Sequence, residues 1–231
     1  MQDKEFIVTK DLGKEYPVGK GIFKALENIN LTIHPGEFTG VVGPSGSGKT
    51  TLLNIIGALD NPTEGSAIVL GNKVEDMTHT ESARLRNEFL GFIFQTYNLL
   101  PVYNVFENVE FPLLLQNVEK GERKLMVEKA LEWVGLSDKA KSRPNQLSGG
   151  ESQRVAIARA IVKKPKIVLA DEPTANLDSE NSHHILKTMV KLNEELKTTF
   201  LFSTHDEKVI SYLRRKITLR DGKIQDDVTI K

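Results

Sequence analysis

The sequence predicts an α/β fold built on a mostly parallel sheet covered on both faces. Three observations predict it. Continuous apolar runs, such as Ile167, Val168, Leu169 and Ala170, have the texture of strands buried on both sides. Helical periodicity alternates with those runs, the order expected of a parallel sheet whose crossovers are helices. A glycine-rich turn stands directly between one such run and one such helix.

In chain order, residues 6–9, 29–33, 38–42 and 67–70 are short alternating or apolar runs, expected as strands. Turn signals separate them, among them His34, Pro35 and Gly36, then Asp60, Asn61 and Pro62. Residues 49–59 carry Leu52, Leu53, Ile55, Ile56 and Leu59 at helical spacing. Residues 123–134 place Met126, Val127, Ala130, Leu131 and Val134 on one helical face, with Gly135 where a C-terminal cap belongs. Trp133, the only tryptophan, is expected to pack within that helical region. A helix is expected over 179–196, then a strand at Thr199, Phe200, Leu201 and Phe202, and a last strand at 216–219. No internal repeat interrupts this order. The chain therefore reads as one unit over 1–231, with a core of 1–95 and 155–231 and a helical insertion at about 96–154.

Composition narrows the chemistry. At 231 residues with 39% hydrophobic content, such a chain buries roughly 70–75% of its unfolded surface and needs no staple to form a core. Lys plus Arg and Asp plus Glu both total 31, so there is no basic excess of the kind that holds nucleic acid through its phosphates. Cysteine is absent, which removes thiolate nucleophiles and cysteine zinc sites. No stretch approaches the roughly 18 apolar residues of a membrane span, and the first ten residues lack a signal-peptide core, so a cytosolic chain is expected.

Gly43, Pro44, Ser45, Gly46, Ser47, Gly48, Lys49 and Thr50 fit the pattern G-x-x-x-x-G-K-S/T between the strand at 38–42 and the helix at 49. In such a loop the backbone N–H groups wrap phosphate oxygens, the helix N-terminus adds positive potential, the lysine reaches the terminal phosphates and the hydroxyl faces Mg²⁺. A chance glycine-rich turn would lack that context. The apolar run at 167–170 ends in Asp171 and Glu172, which a parallel sheet would carry to the same edge, one carboxylate for the metal and one for water. Alone, this pair is equally a solvated strand end. Leu147, Ser148, Gly149, Gly150 and Glu151 precede a helical stretch, readable as a second anion site or as plain N-capping.

Together these motifs, in this order, resemble the ATP-binding cassette (ABC) ATPases, a family of P-loop NTPases whose LSGGQ signature appears here as LSGGE. The resemblance runs nearly the whole length. It implies a RecA-like core with an N-terminal antiparallel β subdomain and an inserted helical subdomain. It also implies that Tyr16 stacks on adenine, that Gly43 to Thr50 with Thr51 hold ATP, and that Gln95 contacts metal and water. Asp171 and Glu172 become the metal ligand and the catalytic carboxylate, and His205 the γ-phosphate contact. Ser148, Gly149, Gly150 and Asp178 become contacts across a dimer that sandwiches two ATP. Glu151 in place of the usual Gln, and Ala175 in place of Ser or Gly, are departures that remove no catalytic group. His34, His79, His183 and His184 are expected to be surface or capping residues, without a third ligand at metal spacing.

Within the family, Phe94 to Pro101, Glu107 to Leu113 and Asn54 to Asp60 resemble the lipoprotein-releasing and macrolide-exporting branch. That implies a subunit peripheral on the inner face of the cell membrane, driving integral membrane permeases in export or lipoprotein release. The permease is expected to dock near residues 97–115, where Tyr97, Leu99, Leu100, Val102, Tyr103, Val105 and Phe106 crowd ten positions. The competing reading is a soluble P-loop kinase or a switch-type binding module, from which LSGGE and His205 are the discriminators.

Overall fold

Two sheets divide the strands, and the second of them carries the site. The computed structural model describes residues 5–19 and 21–230, so residues 1–4, 20 and 231 of the expected unit lie outside the described residues. In the first sheet β1 (Ile7–Val18), β2 (Gly21–Ile33), β4 (Glu64–Val69) and β5 (Asn72–Lys73) are antiparallel in the order β2-β1-β4-β5. The second runs β10-β9-β3-β8-β7-β6, from β10 (Lys223–Thr229) and β9 (Arg215–Arg220) through β3 (Phe38–Val42), β8 (Thr199–Thr204) and β7 (Ile167–Asp171) to β6 (Leu90–Ile93). All its pairings are parallel except that of the edge strand β10 with β9.

Alternation along the central strands builds two cores. Ile167, Leu169 and Leu201 face one way, joining Leu52, Ile55 and Ile56 of α1 (Lys49–Ile56) and Ile7, Ile29 and Ile33 of the antiparallel sheet. Val168, Ala170, Phe200 and Phe202 face the other way, onto α3 (Val105–Leu115), α4 (Lys120–Trp133), α5 (Gly149–Ile161) and α6 (Ser179–Leu196). Phe38 and Phe202 meet there with ring centres 4.7 Å apart, a spacing at which tilted aromatics attract. Trp133 packs partly buried against this second core.

Several elements depart from their expected limits. β1 and β2 are far longer than 6–9 and 29–33 because irregularities between Thr9 and Leu12, Leu12 and Lys14, and Lys14 and Glu15 break the two-residue alternation. The helix expected to reach Leu59 stops at Ile56. There Ala58 turns left-handed (φ 51°), its N–H bonds Ile55 O at 2.9 Å, and Leu59 N–H bonds Asn54 O at 2.8 Å, a Schellman closure that turns Leu59 out to 49% exposure. The strand at 216–219 is not the last: the polar, mostly exposed β10 follows it. β6 and α2 (His79–Phe89) also escape the hydrophobic pattern, β6 by being four residues long and α2 by burying only Leu85.

The 96–154 stretch is mainly helical. Asn108, wholly buried in α3, accepts from Leu100 N–H at 2.8 Å and donates to Leu100, Tyr103 and Asn104 carbonyls, so one amide organises the loop before the helix. α4 ends in a second Schellman closure, with Gly135 at φ 66° and Leu136 N–H on Leu131 O at 2.9 Å. α6, which spans the expected 179–196, ends on the exposed Lys197 at φ 54°, a conformation costing a side-chain-bearing residue about 1–2 kcal/mol. Lys197→Gly should therefore raise the unfolding free energy by about 0.5–1 kcal/mol once glycine's extra unfolded-state entropy is subtracted. Urea denaturation measures this, and an unchanged or lower midpoint would contradict the strain assigned to the cap.

Candidate active site

Parallel pairing carries four strand ends to one edge. Val42 pairs with Thr204 and Asp171 with Ser203, so the segments after β3, β7 and β8 leave the sheet side by side, and β6 delivers Gln95 next to β7. After β3 the chain arches through Pro44, Ser45 and Gly46, all exposed, and enters α1. Gly48 has φ 101°, and a Cβ on it would strike the Ala25 carbonyl, so only glycine fits the last position of the arch.

The N-terminus of α1 differs from that of every other α-helix among the described residues. Thr78, Asn104, Glu119, Ser148, Asp178 and Asp206 each cap a helix with a side chain, and each of those helices has a glutamate in its first turn. α1 has neither a capping side chain nor an acid. Its free N–H groups and the positive end of its dipole thus meet at the arch, an unneutralised anion site. Lys49, 6% exposed, adds a cation: Nζ donates to Gly43 O at 2.8 Å and Pro44 O at 3.0 Å, and lies 3.7 Å from Glu172 Oε1. The Ser47 hydroxyl, also buried, has no protein partner among the described residues.

Opposite stand the acids. Thr50 donates its hydroxyl to both Asp171 oxygens at 3.1 Å, and Ser203 donates to Asp171 Oδ1 at 2.7 Å. Asp171 and the Thr50 hydroxyl make a hard-oxygen set of the kind Mg²⁺ takes. Glu172 Oε1 accepts from His205 Nδ1 at 2.8 Å. Its backbone sits at φ 45°, a strained conformation for a non-glycine residue, held by its N–H on Ser203 O at 2.9 Å. Ser203 belongs to this cluster and is not singled out by sequence reasoning, although it stands two positions before His205.

Tyr16 stands apart on β1, half-buried. Its hydroxyl donates to Asp60 Oδ2 at 2.8 Å and lies within hydrogen-bonding reach of Thr51, while Lys14 binds Asp60 Oδ1 at 2.6 Å and lies 5.0 Å from the Tyr16 ring centre. Burial and the neighbouring Asp60 carboxylate both push the Tyr16 hydroxyl pKa up. Burial alone would raise the Asp60 carboxyl too, but hydrogen bonds from Lys14, Tyr16 and Asn61 outweigh it and hold it below its ordinary range. The sequence offers no sign of this anchor, since Lys14 and Asp60 are 46 positions apart.

Ser148, Gly149, Gly150 and Asp178 form a separate group, made by the N-termini of α5 and α6. Ser148 is a true N-cap: its Oγ accepts from Glu151 N–H at 3.2 Å while its own N–H donates to Glu151 at 2.8 Å. Lys139, 3.2 Å from Glu151, completes a use for the departure from Gln, and the Ser148 and Lys139 hydrogen bonds hold the Glu151 carboxyl low. Asp178 caps α6 by accepting from Asn181 N–H at 2.8 Å and Asn181 Nδ2 at 2.6 Å, bonds that lower its carboxyl pKa. Asn176 donates to Gln95 O at 2.9 Å, tying this group to the segment after β6.

The crowded run 97–106 does not form one apolar surface. Val105 is in the core, Leu99 and Phe106 pack against it, and Val102 is 73% exposed. Tyr97 turns the other way, its hydroxyl 3.2 Å from where a Cβ on Gly149 would stand. An apolar cleft of about 490 Å³ does open beside this run, lined by Leu100, Phe111 and Leu115 with Leu59, Phe92 and Phe94 from the core. Arg86, Arg159 and Lys163 also line it; their head groups are bound to backbone carbonyls, and burial pulls the Lys163 ammonium down to about 8. Among the described residues no helix is long and apolar enough to cross a membrane.

A family model described as "ABC transporter" matches residues 26–175. The ABC transporter ATP-binding protein YknY of Bacillus subtilis is 45% identical over 94% of this chain and 94% of its own. The lipoprotein-releasing system ATP-binding protein LolD of Alcanivorax borkumensis is 41% identical over 94% of this chain and 95% of its own. A solved structure of the MJ0796 cassette, described as a dimeric post-hydrolysis state bound to ADP and Pi, superposes with a TM-score of 0.90 at 42% identity, covering 97% of this chain and 99% of that one. MJ0796 is a protein of Methanocaldococcus jannaschii.

Proposed function

The chain belongs to the ABC transporter family as an ATP-binding, ATP-hydrolysing subunit, and from that premise we propose how its residues divide the work and what they engage. The reading as a soluble kinase or switch module gives way to this membership. The observation that carries the proposal is the uncapped, acid-free N-terminus of α1 beneath a glycine arch, with Lys49 on one side and Asp171 and Glu172 on the other. Gly43 to Thr51 bind the phosphates of ATP, and Lys49 exchanges its carbonyl partners for terminal phosphate oxygens. Thr50, Asp171 and Gln95 hold Mg²⁺, which neutralises phosphate charge when bound. Glu172, oriented by His205, accepts a proton from the attacking water, and His205 reaches the γ-phosphate.

Tyr16 stacks on the base. Its hydroxyl is held by Asp60, so its ring is fixed before ATP arrives and less rotamer freedom is lost on binding. A second copy of the chain completes each site: its Ser148, Gly149 and Gly150 face the first copy's γ-phosphate, with Asp178 beside them. The Ser148 hydroxyl accepts from Glu151 N–H and so keeps its own proton to donate. The dimeric MJ0796 cassette supports this arrangement. We further place the docking of a membrane permease in the cleft between Phe111 and Phe94, which would hold the chain against the inner face of the membrane. The likeness to LolD supports a role in export or lipoprotein release.

Three outcomes are expected. Glu172→Gln should bind Mg-ATP without turnover and persist as a dimer in sizing chromatography, and adding Ser148→Arg should return it to monomer; a Glu172→Gln chain that binds ATP yet stays monomeric would sink the sandwich. Tyr16→Ala should weaken ATP binding by roughly five- to a hundredfold, the equivalent of about 1–3 kcal/mol of stacking, with a smaller change in saturated turnover. Calorimetry showing unchanged affinity would move the base platform elsewhere, Phe23 being its exposed cross-strand neighbour. Phe111→Glu should leave hydrolysis by the isolated chain within about twofold while the chain no longer co-purifies with its membrane complex. Full complex assembly by folded Phe111→Glu would rule the cleft out.

A further inference from the structure

Gln153 lies in α5, five positions after Ser148, and is wholly buried. Its Nε2 donates to Pro173 O at 2.6 Å, and its Oε1 has no protein donor among the described residues. Packing alone does not ask for an amide here: leucine or methionine would fill similar volume without burying a half-used polar group. The bond's worth lies in what it joins. Pro173 follows Glu172 directly, and as a proline it offers only its carbonyl to be held.

The segment leaving β7 is pinned residue by residue. Glu172 N–H donates to Ser203 O at 2.9 Å, Glu172 O accepts from Ala175 N–H at 3.2 Å, and the buried Thr174 hydroxyl donates to Asp206 Oδ2 at 3.0 Å. Of these ties, the one at Pro173 comes from the helix that begins at Ser148. Glu172 sits at φ 45° and persists there only because its surroundings over-determine it. A shift of α5 along its axis would be passed by this bond to the Pro173 carbonyl, one residue from the strained Glu172 backbone.

We propose that Gln153 is a positioning residue that locks Glu172 in place and couples it to α5, so that engagement of Ser148 by the partner subunit's nucleotide tightens this chain's own catalytic carboxylate. This rests on the sandwich dimer above. Two discrete sites are thereby linked through one packed helix and one hydrogen bond, and ATP binding at one favours hydrolysis at the other.

Gln153→Leu tests it, with Gln153→Met as the unbranched alternative should the leucine variant fail to fold. Turnover against ATP concentration is measured on the full chain, with folding checked by thermal melt. Expected are a fall in kcat of about tenfold or more, ATP affinity within about twofold, and a Hill coefficient dropping toward about 1. In the Glu172→Gln background the variant should still dimerise on Mg-ATP. A folded variant with native kcat and native cooperativity overturns the proposal, as does one that is merely less stable with unchanged kinetics. Failure of Glu172→Gln alone to dimerise overturns the sandwich instead, and the two results are read separately.

Discussion

Hydrogen bonding between β3, β8 and β7 sets Val42 beside Thr204 and Asp171 beside Ser203, and the proposed phosphate site hangs from those two pairs. Because the strands are parallel, their dipolar loops leave the sheet on one side. Lys49, Thr50, Asp171, Glu172 and His205 meet there although they span more than half the chain. A slip of one register position would send Asp171 to the wrong face and leave Thr50 without its carboxylate. The two cores, one on each side of these strands, are what make that slip costly. Phe200 and Phe202 belong to one core and Leu201 to the other, so no shift by a single residue keeps both dry.

Electrostatic preparation accompanies the geometry. Among the described residues, six α-helices neutralise their own N-termini with a capping side chain and a first-turn acid, and α1 leaves its own bare. The buried Lys49 ammonium meanwhile occupies two carbonyls, donors' partners that a phosphate can outbid because it carries charge. Strain is stored beside it. Glu172 holds positive φ without being glycine, as do Tyr97 and Asn98 in the bend after Gln95. Arg159 donates to both Tyr97 O and Asn98 O at 2.6 Å, which keeps that pair in place and fastens it to α5.

The helix α5 therefore occupies the junction of the molecule. Its N-cap is Ser148, its middle holds Pro173 through Gln153, and its last turn holds the Tyr97–Asn98 bend through Arg159. Under the proposed dimer, a push on Ser148 reaches both the Glu172 carboxylate and the margin of the apolar cleft through a single rigid element. That economy accounts for Gln153, a polar side chain retained in an otherwise apolar stripe.

The glycine arch before α1, the Asp171–Glu172 pair at the end of β7 and the helix at 179–196 were legible in the chain because their signals are local: contiguous residues impose the arch, the apolar run and the 3.6-residue period. The roles proposed for Tyr16, Gln95 and His205 rest on resemblance, since nothing in their spacing speaks of adenine, metal or phosphate. β1 and β2 lost their outer halves to bulges that scramble alternation, and β10 escaped notice through its polarity; nor can a count of apolar residues tell Val105, facing the core, from Phe111, facing the cleft. What sequence by itself determined was the set of local conformations and the chemistry offered at each turn. Which of those groups meet, Thr50 with Asp171 across 121 positions, Tyr16 with Asp60 across 44, Gln153 with Pro173 across 20, was decided by tertiary structure. The reason is that such contacts depend on strand register and helix packing, properties of many distant residues at once.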